Sequence, residues 1–146
     1  GSLKIGIYRF DGVVHNNSDV ASYFTNNMAL LDKKVREGLF LPDAPIYTKV
    51  RDEAPSYYSE GSDISNCIVA DGCVMRGSAK DSIIFRNVKI EKGAEVKSCI
   101  IMQGARIGVG AQLENVILDK DVTVTEGACL KGTPKNPVII KKGETV

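Results

Sequence analysis

Asn66-Cys67-Ile68-Val69, Asp81-Ser82-Ile83-Ile84, Ser98-Cys99-Ile100-Ile101 and Asn115-Val116-Ile117-Leu118 are four versions of one block. Their first residues stand at 66, 81, 98 and 115, so the chain repeats in steps of 15, 17 and 17. Within each step an apolar residue recurs about every six positions, the spacing of a hexapeptide repeat. Ile84, Ile90 and Val96 form one such set, Ile101, Ile107 and Leu113 the next, and Leu118, Val124 and Leu130 the last. Two positions ahead of many of them sits another small or branched residue: Val88, Ala94, Ala105, Ala111, Val122 and Ala128. Such a period fits neither a helix nor a simply alternating strand. It fits a left-handed parallel β-helix, in which each hexad is a short strand plus a corner. Three hexads close a coil of nominally about 18 residues. A step of 17 leaves one corner a residue short. The step of 15 makes the first coil tighter still, near Arg76 to Lys80. Ala, Val and Ile fill the narrow interior, while Gly and charged residues take the corners. About four coils are expected, above the roughly three that such stacks need.

With 146 residues the chain has room for one domain, or a domain plus an appendage. Its net charge of +1 argues against a general affinity for nucleic acid. No run of about 18 apolar residues is present, so no membrane-spanning helix is expected. Gly1-Ser2 ahead of Leu3 reads as a cloning remnant, and the chain is expected to be a piece of a longer protein. Cys67, Cys73, Cys99 and Cys129 form no C-x-x-C pair, and His15 is the only histidine, so no usual zinc set can be assembled and no metal site is expected. Four reduced thiols used as small apolar residues imply a reducing, cytoplasmic setting.

Lys4 to Phe10 reads as a strand, Asp11-Gly12 as a turn and Val13 to His15 as a second strand, together a hairpin. Asn17 or Ser18 suits a helix N-cap, with Asp19 in the first turn. One helix is predicted from about Asp19 to Leu31, with Val20, Tyr23, Phe24, Met28 and Leu31 on one face. A hairpin and a helix cannot make a core of their own. They should dock on the β-helix or on a further domain. The expected organisation is an opening unit over 1–36, a Pro-containing connector over 37–61 with a short strand at Ile46 to Val50, the β-helix over 62–132 and a capping tail over 133–146. Pro134 and Pro137 interrupt strand pairing, and Val138 to Ile140 then supplies a last strand.

Hexapeptide acyltransferases place a catalytic histidine at a corner, and a carbonic anhydrase on this fold needs three histidine ligands. His15 lies outside the repeat. Neither activity fits, and no catalytic residue is expected. Gly104, Gly108 and Gly110 sit at corners rather than ahead of a helix, so they make no phosphate loop.

The order of helix, Pro-containing connector, β-helix and Pro-containing tail resembles the C-terminal region of the glucose-1-phosphate adenylyltransferases (ADP-glucose pyrophosphorylases). Tyr23-Phe24-Thr25-Asn26-Asn27-Met28-Ala29-Leu30-Leu31 is similar to that family's helix after the catalytic domain. Ile68 to Cys73, Ile84 to Val88, Ile100 to Met102 and Ile117 to Asp121 resemble its coils. The connector Ile46 to Asp52 and the tail Gly132 to Ile140 look most like the auxiliary, GlgD-type subunit. Catalytic members carry Asp-Val-Gly-Thr just before the helix. Asn16-Asn17-Ser18-Asp19 aligns there, with Asn16 in place of the carboxylate; a shifted alignment would bring in Asp19 instead.

The resemblance implies that the parent enzyme joins ATP and glucose 1-phosphate into ADP-glucose and pyrophosphate in glycogen biosynthesis, with Mg²⁺ and ATP bound outside this piece. It implies a regulatory and oligomerisation role here, with no cofactor and no catalysis of its own. The implied partner is a catalytic adenylyltransferase subunit, a second copy, or both, through the β-helix. Lys120, in Leu118-Asp119-Lys120-Asp121, matches a segment near the family's effector sites and is the candidate effector-binding residue. Lys141 and Lys142 are weaker candidates for phosphate contact.

Overall fold

The computed structural model describes residues 3–146, and its body is a stack of coils with three short strands each. The first coil holds β1 (Tyr57–Tyr58), β2 (Asp63–Ser65) and β3 (Ile68–Val69); the second, β4 (Val74–Met75), β5 (Ser78–Lys80) and β6 (Ile83–Ile84). The third holds β7 (Lys89–Ile90), β8 (Glu95–Lys97) and β9 (Ile100–Ile101); the fourth, β10 (Arg106–Ile107), β11 (Gln112–Glu114) and β12 (Val116–Leu118). A fifth layer follows with β13 (Thr123–Val124), β14 (Cys129–Lys131) and β15 (Val138–Ile140). Every pairing between strands is parallel, and like strands stack into three five-stranded sheets. The sheets are β1-β4-β7-β10-β13, β2-β5-β8-β11-β14 and β3-β6-β9-β12-β15.

The six-residue apolar set points inward as expected. Met75, Ile90, Ile107 and Val124 line the first sheet, and Ala79, Val96 and Leu113 the second. Ile84, Ile101 and Leu118 line the third, and all of these are buried. Cys73 and Cys99 are buried among them as free thiols. Burial pushes the Cys99 thiol up to about 12, because a thiolate there would lose its water. In the folded protein Cys99 is therefore expected to stay unreactive toward iodoacetamide at pH 8, while the exposed Cys129 is alkylated. Peptide mapping of the labelled protein checks this, and rapid labelling of Cys99 would contradict it.

The leading polar residue of each repeat block has a specific task. Asn66, Asp81, Ser98 and Asn115 all adopt left-handed backbone, with φ of 48°, 49°, 50° and 52°. They turn the chain from the second sheet into the third, and short polar side chains tolerate that conformation best after glycine. The short step is also placed: β4 and β5 are separated by Arg76-Gly77 alone, whereas β7 and β8 are separated by residues 91–94. Coils press closely at other corners. A Cβ added at Gly108 would lie 2.7 Å from the Glu126 amide nitrogen and 2.8 Å from the Thr125 carbonyl carbon. Gly108→Ala is therefore expected to cost about 1–3 kcal/mol through overpacking against backbone. At Gly110 a Cβ has open space but φ is +65°, so Gly110→Ala should cost only about 1 kcal/mol. Denaturant midpoints of the two variants test the order, and equal losses would contradict it.

The third sheet is apolar on its outer face as well, through Ile83, Ile100 and Ile117. That face is where α1 (Val20–Ala29) docks, with Phe24 packed on Ile100 and Ile117, flanked by Tyr23, Met28 and Met102. The helix begins one or two residues later than the sequence suggests. Asp19, rather than Asn17 or Ser18, is the N-cap: its carboxylate accepts the Ser22 N–H at 2.7 Å, and its own N–H donates to Ser22 Oγ at 3.1 Å. These bonds hold the Asp19 carboxyl below its ordinary value.

Three expectations for the flanks change. A second helix, α2 (Lys33–Leu39), follows α1, capped by Asp32; Arg36 reaches back to donate to the Leu30 and Leu31 carbonyls at 2.6 and 2.8 Å. The hairpin over residues 4–15 does not form. Ile5 and Ile7 stand 90% and 98% exposed, and two short strands with no sheet to cover them cannot hold each other. Ile46 to Val50 makes no strand either. Continuing the 17-residue register upstream of β3 would set Arg51 and Asp52 at the places of Ile68 and Val69. A carboxylate would then face the interior, so the stack opens at Tyr57.

Candidate functional site

The corner between the third and first sheets builds one edge of the prism. At each level the N–H of a left-handed residue donates to the carbonyl of the residue one level before it. Gly72 donates to Ala54 at 2.7 Å, Asn87 to Asp71 at 3.2 Å, Gly104 to Arg86 at 3.0 Å, Asp121 to Gln103 at 3.0 Å and Gly143 to Lys120 at 2.9 Å. Asp71, Arg86, Gln103 and Lys120 therefore stack in one column. Lys142, the residue before Gly143, takes the next place. Neighbouring levels are about 4.8 Å apart, so Lys120 and Lys142 stand beside each other at the C-terminal end of the column. Both are exposed.

Arg51 reaches the same edge from the connector. It lines a small cleft of about 100 Å³ together with Glu53, Arg86, Asn87, Gln103 and Asp121. The Arg86 Nε is buried there without a hydrogen-bond partner. Among the described residues the ion pairs are Arg9–Asp11, Lys33–Glu37, Arg76–Glu91 and Lys97–Glu114, so Arg51, Arg86, Lys120, Lys141 and Lys142 are all unpaired. Forked guanidiniums and clustered ammonium groups outside any ion pair suit oxyanions, above all phosphate, although Glu53, Asp71, Asp119 and Asp121 share the edge and oppose an anion there. The edge also carries Asp119 and Asp121, and the Asp119 carboxylate is occupied in accepting the Lys120 N–H at 2.7 Å.

The structure thus brings Lys120 next to Lys142, a pairing that spacing along the chain does not suggest. His15 lies far from this edge in the sequence and serves the docked helix: its Nδ1 donates to Asn26 Oδ1 at 2.9 Å. The Asn26 amide donates to the Asn16 carbonyl and the Asn17 side chain, which fixes that orientation. Neither Asn16 nor Asp19 contributes a free carboxylate, since Asp19 is committed to its cap. No group of three or more His, Cys, Asp or Glu that could hold a metal occurs among the described residues. Among the described residues no helix is long and apolar enough to cross a membrane.

Residues 53–135, from the end of the connector to the close of the coils, match the family described as GlmU-like, C-terminal hexapeptide. The chain belongs to that family. Its parallel coils are those of the left-handed hexapeptide β-helix expected from the repeat. The chain is 42% identical over 142 residues to the glycogen biosynthesis protein GlgD of Bacillus subtilis, covering 97% of this chain and 41% of the relative. It is 52% identical over 118 residues to GlgD of Geobacillus stearothermophilus, covering 81% of this chain and 34% of the relative. To the glucose-1-phosphate adenylyltransferase of the same organism it is 36% identical over 90 residues, covering 62% and 23%. The chain therefore spans between about a third and two fifths of the length of the GlgD relatives it matches.

Proposed function

We propose that this chain is the C-terminal regulatory and oligomerisation domain of a glucose-1-phosphate adenylyltransferase subunit of the auxiliary, GlgD type. The reading is supported by higher identity to GlgD over a longer stretch than to the catalytic adenylyltransferases. Its parent acts in making ADP-glucose for glycogen from ATP and glucose 1-phosphate, and its cytoplasmic setting agrees with four unpaired cysteines. Mg²⁺ and ATP belong to another domain. Residues 1–36 are the end of that preceding nucleotidyltransferase domain, with α1 docked on the coils, while Ile5 and Ile7 need a sheet that the coils do not offer them. Residues 37–61 connect and end in the first strand of the stack, Tyr57–Tyr58, residues 62–132 form the body of the β-helix, and residues 133–146 cap it while adding its last strand, Val138–Ile140. A catalytic adenylyltransferase subunit is the partner, with self-association as a further mode of assembly.

The observation that carries the regulatory part is the adjacency of Lys120 and Lys142 on an edge free of ion pairs. Two ammonium groups one level apart can share one phosphate, and the ligand class is a phosphorylated metabolite. Thermal melting with glucose 1-phosphate, and separately with inorganic phosphate, tests it. A ligand at a hundredfold excess over its Kd stabilises by about 2.7 kcal/mol, which raises Tm by several degrees. Lys120→Gln with Lys142→Gln should remove that rise while leaving the unliganded Tm unchanged. The assignment of this edge fails if neither compound shifts the melt, or if the double variant responds like the native chain.

A further inference from the structure

One level of the stack lacks a corner. Between the first and second sheets the corners comprise residues 59–62, 91–94, 108–111 and 125–128, but in the second coil only 76–77. Where corners are regular they are tied together: the Gly110 N–H donates to the Lys92 carbonyl at 3.2 Å, and the Gly127 N–H to the Val109 carbonyl at 2.9 Å. Across the short corner this ladder is cut. Among the described residues the Gly93 N–H donates to no backbone carbonyl, and the Glu60 carbonyl accepts from no backbone N–H. Gly77, on the floor, is buried, and its own N–H and carbonyl enter no backbone hydrogen bond. A Cβ there would lie 2.5 Å from the Ala94 oxygen and 2.6 Å from that of Glu91, so the floor sits deep. The result is a cleft of about 540 Å³, walled by residues 59–61 on one side and 92–95 on the other.

The two walls are two levels apart, about 9.6 Å. One polypeptide thickness fits between them, whereas a helix of about 10–12 Å diameter does not. The unused groups are one acceptor on the first wall and one donor on the second, the two ends that a peptide unit bridges. Every regular corner sets an x-Gly pair at this position: Glu60-Gly61, Lys92-Gly93, Val109-Gly110 and Glu126-Gly127. Arg76 on the floor is committed to Glu91, with both carboxylate oxygens at 3.0 Å. The rim charges outside any ion pair are Glu60, Glu95 and Lys92, a net of −1. A second copy of this chain meeting edge to edge about a two-fold axis through Lys92 would oppose Glu60 to Glu126 and Lys92 to Lys92, so charge disfavours it.

We propose that this slot receives a single tight turn of another protein, with a basic residue followed by glycine at its tip, completing the missing corner. The glycine N–H of the turn donates to the Glu60 carbonyl, and the carbonyl of the basic residue accepts from Gly93. The basic side chain lies toward Glu60 and Glu95. The site is separate from the Lys120 edge and stands independently of the regulatory reading.

The peptide acetyl-Glu-Lys-Gly-Ala-amide, which copies corner 91–94, is the probe. Titrated into ¹⁵N-labelled protein, it should shift the amides of Gly61, Gly77 and Gly93 saturably. Inserting Lys-Gly between Arg76 and Gly77 restores the 17-residue step and fills the slot from within. That variant should melt no lower than the native chain and show none of the shifts. If the insertion does not fold, the same peptide with N-methylglycine for glycine decides, because it lacks the required N–H and should leave the three amides unmoved. Absence of saturable shifts at those glycines overturns the proposal, as does equal response to the insertion variant or to the N-methyl peptide.

Discussion

Replacing Ile107 with Asp is expected to abolish the folded solenoid. Ile107 is fully buried in the interior of β10, paired with Ile90 one level before and Val124 one level after. The interior at that level is closed by Ala105, Ala111 and Leu113, none of which offers a hydrogen bond from its side chain. A carboxyl group placed there either stays charged without a partner or takes up a proton and remains unsatisfied. Losses of this kind exceed about 4–5 kcal/mol, against a total of about 5–15 kcal/mol for a domain. The stack offers no way to confine the damage, because each coil is held mainly by its neighbours. Far-ultraviolet circular dichroism at 25 °C should show loss of the β signal for Ile107→Asp. Ile107→Val should melt with a loss of only about 0.5–1.5 kcal/mol. Native-like melting of the Asp variant would contradict the inward register assigned to residues 84–130.

Phe24→Ala should be nearly as costly but local in its consequence. Phe24 is 2% exposed and contributes the central contact between α1 and the outer face of the third sheet. Truncating a buried phenylalanine costs about 3–5 kcal/mol. A ten-residue helix cannot sustain itself in water once undocked. The coils do not depend on it, since their interior is a separate cluster from the one Phe24 joins. Hydrogen exchange should therefore show amides of α1 losing protection while those of β9 and β12 keep theirs. Dye binding should report the newly uncovered Ile83, Ile100 and Ile117. Uniform loss of protection across the stack would mean that helix and coils form one cooperative unit.

The contrast between these two sites explains what was legible in the residues. The coil interior is written as a period, so Ile107 and its equivalents are placed by counting. Even the missing corner near Arg76 is visible as a step of 15 against 17. The doubled apolar pairs Ile83-Ile84, Ile100-Ile101 and Ile117-Leu118 carry a second message, since two adjacent buried residues need cover on both faces. The helical stripe holding Phe24 supplies that cover.

Other features depend on tertiary context. The segment Lys4 to Phe10 has strand-like alternation, yet propensity without a neighbouring sheet forms nothing. α2 follows from the Asp32 cap, a signal masked by the nearby Gly38 and Pro42. At the candidate effector edge, Lys120 and, more weakly, Lys142 are singled out from the sequence, but their adjacency is not, because it comes from the stacking of Gly143 on Lys120. The last step from Ile117 to Ile139 is 22 residues, because the Thr133 to Pro137 excursion leaves the ladder before β15 rejoins it. Register of that kind is set by pairing in space and cannot be counted along the chain.

The most direct test of the central claim is to mix the chain with a catalytic glucose-1-phosphate adenylyltransferase subunit and measure complex mass by light scattering alongside ADP-glucose synthesis. A mixed complex is expected, with no synthesis by the chain alone and a response of the catalytic subunit to phosphorylated metabolites that changes when the chain is bound. ADP-glucose made by the chain by itself, or two species that stay separate with unaltered kinetics, would contradict it.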